Sequence, residues 1–393
     1  LAWLLIAIGI GLSIATTALT SRAFGARNTE LARQTALSSV LIVAMVMVVV
    51  SMTTLFCLDG LLGLIGAQGE TKRLALRFLW MVTPSIPLVA IGMSLGGLLR
   101  AVGDPRRAMW VTLGPAAVIA MLDPLLIYGL EMGLDGAAVG VILARLLMVT
   151  IGFYCVTKIH SILDLRSLVD PQQSSLLWQR IKNLRPAYFA IAAPAVLTQI
   201  ASPVATAVTT WIVADFGDDG VAGWAVIGRL TTVAFGVIFA LSGSIGSIIG
   251  QNFGAKRIDR VRSTLIDSFK VTVLYCLAMS VVLALLAKPI AGAFGLTGSG
   301  FELVVFFCRF LAVTFVFQGI MFVANAGFNN LGFPTYSSWL NWGRATLGVV
   351  PFAMLGGALA GAQGAIIGYS LGGVLFGLIA WLFMNKVLLK LSH

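Results

Sequence analysis

The chain has 393 residues, 59% of them apolar and 10% charged, with a mean hydropathy of +0.99; a soluble globular domain carries roughly 25% charged residues. This balance excludes a water-soluble fold. The formal net charge of +11 could suit a nucleic-acid partner, but the basic residues sit in loops between apolar runs, which reads as membrane topology and lipid-headgroup contact.

In chain order, apolar runs that reach the length of a membrane-crossing helix, about 20 residues, cover 1–21, 35–58, 74–99, 109–130, 137–158, 187–214, 223–250, 263–287, 303–328, 335–356 and 362–386, eleven in all. They do not alternate residue by residue, which excludes a β-barrel. The first run is long and is followed by Ser21-Arg22, so it reads as a helix and not as a signal peptide. Cys57, Cys155, Cys276 and Cys308 lie inside apolar runs without paired spacing and read as small core residues. With only His160 and His393 present, a histidine-based metal or catalytic cluster is excluded. No nucleophile and base pair stands out either, so the chain is expected to be neither an enzyme nor a cofactor carrier.

Arg22, Arg27 and Arg33 occupy the first loop, Arg100, Arg106 and Arg107 the third, Lys158, Arg166, Arg180, Lys182 and Arg185 the fifth, and Lys256, Arg257, Arg260 and Arg262 the seventh. Glu131 and Asp135, then Asp215, Asp218 and Asp219, fall in loops between them. The positive-inside bias therefore places the basic loops, and the tail with Lys386 and Lys390, in the cytoplasm.

The chain also repeats itself. Phe24-Gly25-Ala26-Arg27 recurs as Phe253-Gly254-Ala255-Lys256, an offset of 253 − 24 = 229, and Gly103, Pro105 and Trp110 meet Gly332, Pro334 and Trp339 at the same offset. Gly136-Ala137 and Gly140 meet Gly364-Ala365 and Gly368 at 228. Units of six helices would point the same way, giving two parallel-repeat six-helix bundles related by an axis along the membrane normal. Residues 1–158 form the expected N-lobe, 159–186, with Asp170-Pro171-Gln172-Gln173-Ser174-Ser175, a cytoplasmic linker, and 187–393 the C-lobe. The helix from Ala187 has no first-half partner within the chain, so the repeat implies one further helix before Leu1.

Five local runs, in this order and spacing, carry a family resemblance: Phe24-Gly25-Ala26-Arg27-Asn28, Leu99 to Pro105, Leu122-Asp123-Pro124-Leu125-Leu126-Ile127-Tyr128-Gly129, Gly136-Ala137-Ala138, and Gly250-Gln251-Asn252-Phe253-Gly254-Ala255. The chain resembles the MATE (multidrug and toxic compound extrusion) family over essentially its whole length, in particular the DinF-like and NorM-like bacterial branches. The resemblance implies a multi-pass monomer of the bacterial inner membrane with a cavity between two lobes, exporting organic cations or amphipathic drugs in exchange for H+ or Na+. Asp123 matches the family's N-lobe cation site. Two positions depart from the pattern: Ile119 stands where the family often has Asn, and Val141 where it has Thr.

Read from the residues alone, Asp123 is the acidic group placed well inside a membrane helix, where carboxylates are costly and functional by default. The structural alternative is an ion pair with Arg145, at similar depth on the next helix. Thr198, Gln199, Ser202, Gln318, Asn325 and Asn341 are candidates to line a substrate cavity, or else to bond neighbouring helices. Arg229, Arg309 and Arg344 are expected to snorkel toward helix ends. Pro84, Pro87, Pro115, Pro124, Pro194, Pro203 and Pro351 free carbonyls inside helices and permit kinks. Gly92, Gly96, Gly246 and Gly250 are read as packing positions. The rival functions are a lipid-linked oligosaccharide flippase, which would line its cavity with basic residues, a major-facilitator transporter, and a non-transporting membrane protein.

Overall fold

The computed structural model describes residues 2–64, 68–163 and 171–392. The stretch 164–170, with Arg166 and Asp170 of the expected linker, and His393 lie outside the described residues. Among the described residues all regular structure is helical.

The helices are α1 (Ala2–Gly25), α2 (Thr29–Leu64), α3 (Gly69–Val82), α4 (Ile86–Ala101), α5 (Pro105–Pro124), α6 (Gly133–Tyr154), α7 (Pro171–Ala214), α8 (Asp218–Ala234), α9 (Gly236–Gly254), α10 (Ile258–Leu285), α11 (Ala287–Ala293), α12 (Gly298–Phe306), α13 (Phe315–Leu331), α14 (Pro334–Gly343) and α15 (Val350–Ser392). Among the described residues, ten helical stretches are long and apolar enough to cross a membrane. One of them, Pro334–Leu391, has 58 residues, roughly 87 Å at 1.5 Å per residue, far more than a hydrocarbon core of about 30 Å. It is broken at Ala360 and Gly361, whose backbones are not helical, so it supplies two of the eleven expected spans. The expected span 223–250 is interrupted at Phe235.

The surface shows why lipid suits this chain. Phe56 and Leu359 are each 86% exposed, while Thr16, Thr20, Ser39, Ser51 and Ser94 are fully buried. Large apolar groups face outward and small hydroxyl residues lie inside, where Thr16 bonds Tyr188 and Ser51 bonds the Thr83 carbonyl, a distribution that suits a hydrocarbon solvent.

Two compact units divide the chain at Val196 and Leu197. This differs from the expected boundary after a linker ending at 186. Pro171 opens α7, and the polar residues that follow it continue as helix into the apolar run, because proline is well placed in a first turn that needs no amide hydrogen. In the first unit α1 packs on α2 and α4, and α4 on α5 and α6. A Cβ built on Gly97 of α4 would lie 2.1 Å from Thr17 Oγ1 of α1, so only glycine allows that approach. In the second unit α13 is central, packed on α9, α10 and α15, while α8 packs on α12. Gly92 and Gly246 serve packing as expected, against Met148 and Asn330. Cys155, Cys276 and Cys308 are buried, whereas Cys57 is exposed, contrary to its expected place in a core.

The repeat is visible in the backbone. Helix starts Thr29, Gly69, Ile86 and Pro105 meet Ile258, Gly298, Phe315 and Pro334 at the offset of 229. The 3-10 turns Thr83–Ser85 and Ala312–Thr314 keep that register, as do the left-handed Arg27 and Lys256 and the left-handed Gly103 and Gly332. The left-handed Gly133 and Gly361 meet at 228, where the sequence register also shifts.

Candidate functional site

Asp123 is the next-to-last residue of α5, just before the π-helical turn Leu125–Gly129. Pro124 cannot continue the α-type ladder, and a wider turn follows it. The aspartate is half-buried; its Oδ1 is buried and has no hydrogen-bond partner among the described residues. It faces Gly140 of α6, where a Cβ would stand 2.2 Å from Oδ1. A carboxylate held inside a helix pair with an unused oxygen can take a proton or ligate a cation.

The alternative considered from sequence, an ion pair of Asp123 with Arg145, does not form. Arg145, almost fully buried, donates through Nη1 to Val82 O at 3.0 Å and to Ser85 Oγ at 2.7 Å. The physical reason is azimuth. Arg145 lies five positions after Gly140, which at about 100° per residue turns the side chain roughly 140° away from α5. It faces instead the break between α3 and α4. There Pro87 has no N–H for the Thr83 carbonyl, which accepts from Ser51 Oγ at 2.7 Å. Ser51 and Ser85 were not singled out by sequence reasoning, although the freed carbonyl before Pro87 was the signal that could have found them.

The second unit brings together part of the polar set. Ser202 Oγ accepts from Arg344 Nη2 at 3.0 Å. Asn325 and Asn341 are both buried and share Ser337: its Oγ donates to Asn325 O at 3.4 Å, and its carbonyl accepts from Asn341 Nδ2 at 2.7 Å. Thr198 is buried, and Gln199 and Gln318 are half-buried. Arg344 does not snorkel as expected; it is 0% exposed, because it opens the π-helical segment Arg344–Val349 on a face turned toward α7. Arg309 is exposed.

Arg229 is exposed too. Helix α8 starts at Asp218 and stops at Ala234, so Arg229 stands eleven residues from one end and five from an internal break. It lines a cleft of about 460 Å³ between α7 and α8, with Thr206, Thr210, Trp224 and Thr232. Trp224 Nε1 donates to Thr210 Oγ1 at 3.0 Å.

Asp123 and Arg344 fall where the two halves part. At the offset of 229 Asp123 meets Phe352 and Arg344 meets Pro115, so each charge belongs to one unit only.

A chain that is all-helical and internally repeated among its described residues, with ten membrane-length helical stretches and a carboxylate inside one of them, is a multi-pass membrane transporter in its architecture. The family model MatE matches residues 1–125 and 194–355, and the chain belongs to that family. It is similar to a protein of Shewanella oneidensis called FAD transporter, 25% identical over 386 residues, which are 97% of this chain and 83% of that protein. It is also similar to the multidrug export protein MepA of Staphylococcus aureus, 25% identical over 278 residues, 70% of this chain and 59% of that protein. Among solved structures, a mutant of the Vibrio cholerae MATE transporter VcmN superposes with a TM-score of 0.90 at 25% identity, covering 99% of this chain and 86% of that one.

Proposed function

We propose that this chain is a secondary exporter of small organic molecules that takes up H+ or Na+ at Asp123 as it releases its cargo. The observation that carries this reading is the unpartnered Asp123 Oδ1 inside α5, facing the bare backbone of Gly140. A site with a free carboxylate oxygen favours one conformation when occupied and another when empty, and differential affinity for two states is what coupling requires. In this reading the protein works as a monomer in the bacterial inner membrane by alternating access, with its C-terminus in the cytoplasm. The test is gradient-driven transport of an amphipathic dye by the reconstituted protein, under an imposed pH or Na+ gradient. Asp123→Asn should abolish the dependence on the gradient; coupled transport at the native rate in that variant would remove Asp123 from the mechanism.

The resemblance implies organic-cation cargo, in line with the multidrug export name of MepA. A second reading, cargo with an anionic group, is favoured by the buried Arg344 and accords with the name of the Shewanella relative.

A further inference from the structure

Arg344 is fully buried, and of its guanidinium nitrogens only Nη2 has a partner, Ser202 Oγ; Nε and Nη1 are buried without an acceptor. Arginine stays charged at any physiological pH. A buried guanidinium with unused donors is costly unless a negative group meets it. The second unit offers none: Asp215, Asp218, Asp219, Asp259, Asp267 and Glu302 are all exposed.

Ser202 begins a line of hydroxyls. Ser202, Thr206 and Thr210 share one face of α7 at four-residue spacing. Thr206 Oγ1 donates to Ser202 O at 3.1 Å and Thr210 Oγ1 to Thr206 O at 2.8 Å. Arg344 stands at the Ser202 end, and at the other end Thr206 and Thr210 line the cleft with Arg229 and Trp224. Two arginines thus bracket a ladder of hydroxyls along α7, one of them buried and the other exposed in the cleft. Guanidinium donors at planar spacing match phosphate oxygens, and an indole offers a flat face to an aromatic body.

We propose that the second unit binds an organic phosphate, with Arg344 and Ser202 taking phosphate oxygens and the cleft beside Arg229 and Trp224 taking the organic part. This deepens the exporter reading by naming a substrate class. Arg344 is enclosed in this conformation, so the phosphate reaches it when the face between Arg344 and α7 opens.

The test is a fluorescence titration of the purified full chain with riboflavin 5′-phosphate and with riboflavin, which differ only in the phosphate. The phosphate form should bind about 10- to 100-fold more tightly, the range of charge-assisted hydrogen bonds. Arg344→Gln should erase that ratio. Ser202→Asp should erase it too while giving Arg344 an internal carboxylate partner, so it serves even if Arg344→Gln fails to fold. Equal binding of the two flavins by the native protein, or a ratio that persists in Ser202→Asp, overturns the proposal. Displacement of the phosphate form by phosphatidylglycerol supports the site and assigns it to a lipid headgroup; lack of displacement assigns it to a soluble phosphate ester. Gradient-driven dye transport with no flavin preference would leave the exporter reading standing and remove this one. A flavin preference without any gradient-driven transport would do the reverse.

Discussion

Gly140 and Asp123 form one contact between α5 and α6, in which a carboxylate oxygen lies where a Cβ would have to stand, 2.2 Å from its ideal position. One helix contributes the charge and the other contributes the absence of a side chain.

Gly140→Ala should therefore push the Asp123 carboxylate out of its seat. Misplacing a working group by an ångström can lower a rate up to about 100-fold, and a loss of that order is expected in gradient-driven transport. The measurement is dye uptake under an imposed gradient, with protein yield and melting as the control for folding. Native coupling in Gly140→Ala would mean that Asp123 does not work from this position.

Arg145 holds the break between α3 and α4 and does not hold Asp123. Arg145→Met would leave Val82 O with the Ser85 hydroxyl, which donates to it at 2.7 Å, as its remaining side-chain donor. A destabilisation of about 1–3 kcal/mol is expected, seen as a lower melting temperature in detergent. The pH profile of transport should stay in place; a shifted profile would indicate that the two charges communicate after all.

Asp104 caps α5, accepting from the Arg107 backbone amide at 3.0 Å, from the Arg107 guanidinium, and pairing with His160 Nε2 at 2.8 Å. Burial pushes its carboxyl up, but these three partners outweigh burial and hold it at about 2, below the ordinary 3.8. A carboxyl whose folded value lies below its unfolded one stabilises fully above the unfolded value, and loses that contribution as pH falls through the folded value. Asp104→Ala should cost about 0.5–2 kcal/mol at neutral pH, and the gap to the native protein should close as the pH is lowered from about 3.8 toward 2. Asp104→Asn keeps a capping oxygen, so its gap at neutral pH should be smaller. Urea melts of the two variants across that window provide the check.

Arg27 and Lys256 hold left-handed backbones at φ 58 and 57 just past the ends of α1 and α9, a conformation that costs an L side chain about 1 kcal/mol or more and glycine almost nothing. Lys256→Gly and Arg27→Gly should each stabilise by about that much, measured by thermal melting. A loss of stability in either variant would show that its side chain makes a contact that outweighs the strain.

Much of this architecture was legible along the chain. Hydropathy located most of the crossings, the run 223–250 being divided at Phe235, because a hydrocarbon solvent tolerates only helices with their backbone bonds satisfied internally. Short turn runs carried the repeat, Gly103 and Pro105 matching Gly332 and Pro334, because left-handed glycines and first-turn prolines are dictated locally. The helical start at Pro171 was missed because its first turns are polar, and hydropathy marks only the part of a helix that lipid would cover.

By itself the sequence determined most of the apolar helical runs, the repeat and the place of Asp123 along its helix, since place along a helix follows residue number at a constant rise. Which way each charge turns was decided only by packing. Arg145 faces the α3–α4 break, Arg344 is sealed against Ser202 at the start of a π-helical segment, and Arg229 lines the cleft between α7 and α8. Azimuth around a helix axis depends on local changes of helical pitch and on neighbours distant in the chain, and neither is written in the spacing of apolar residues.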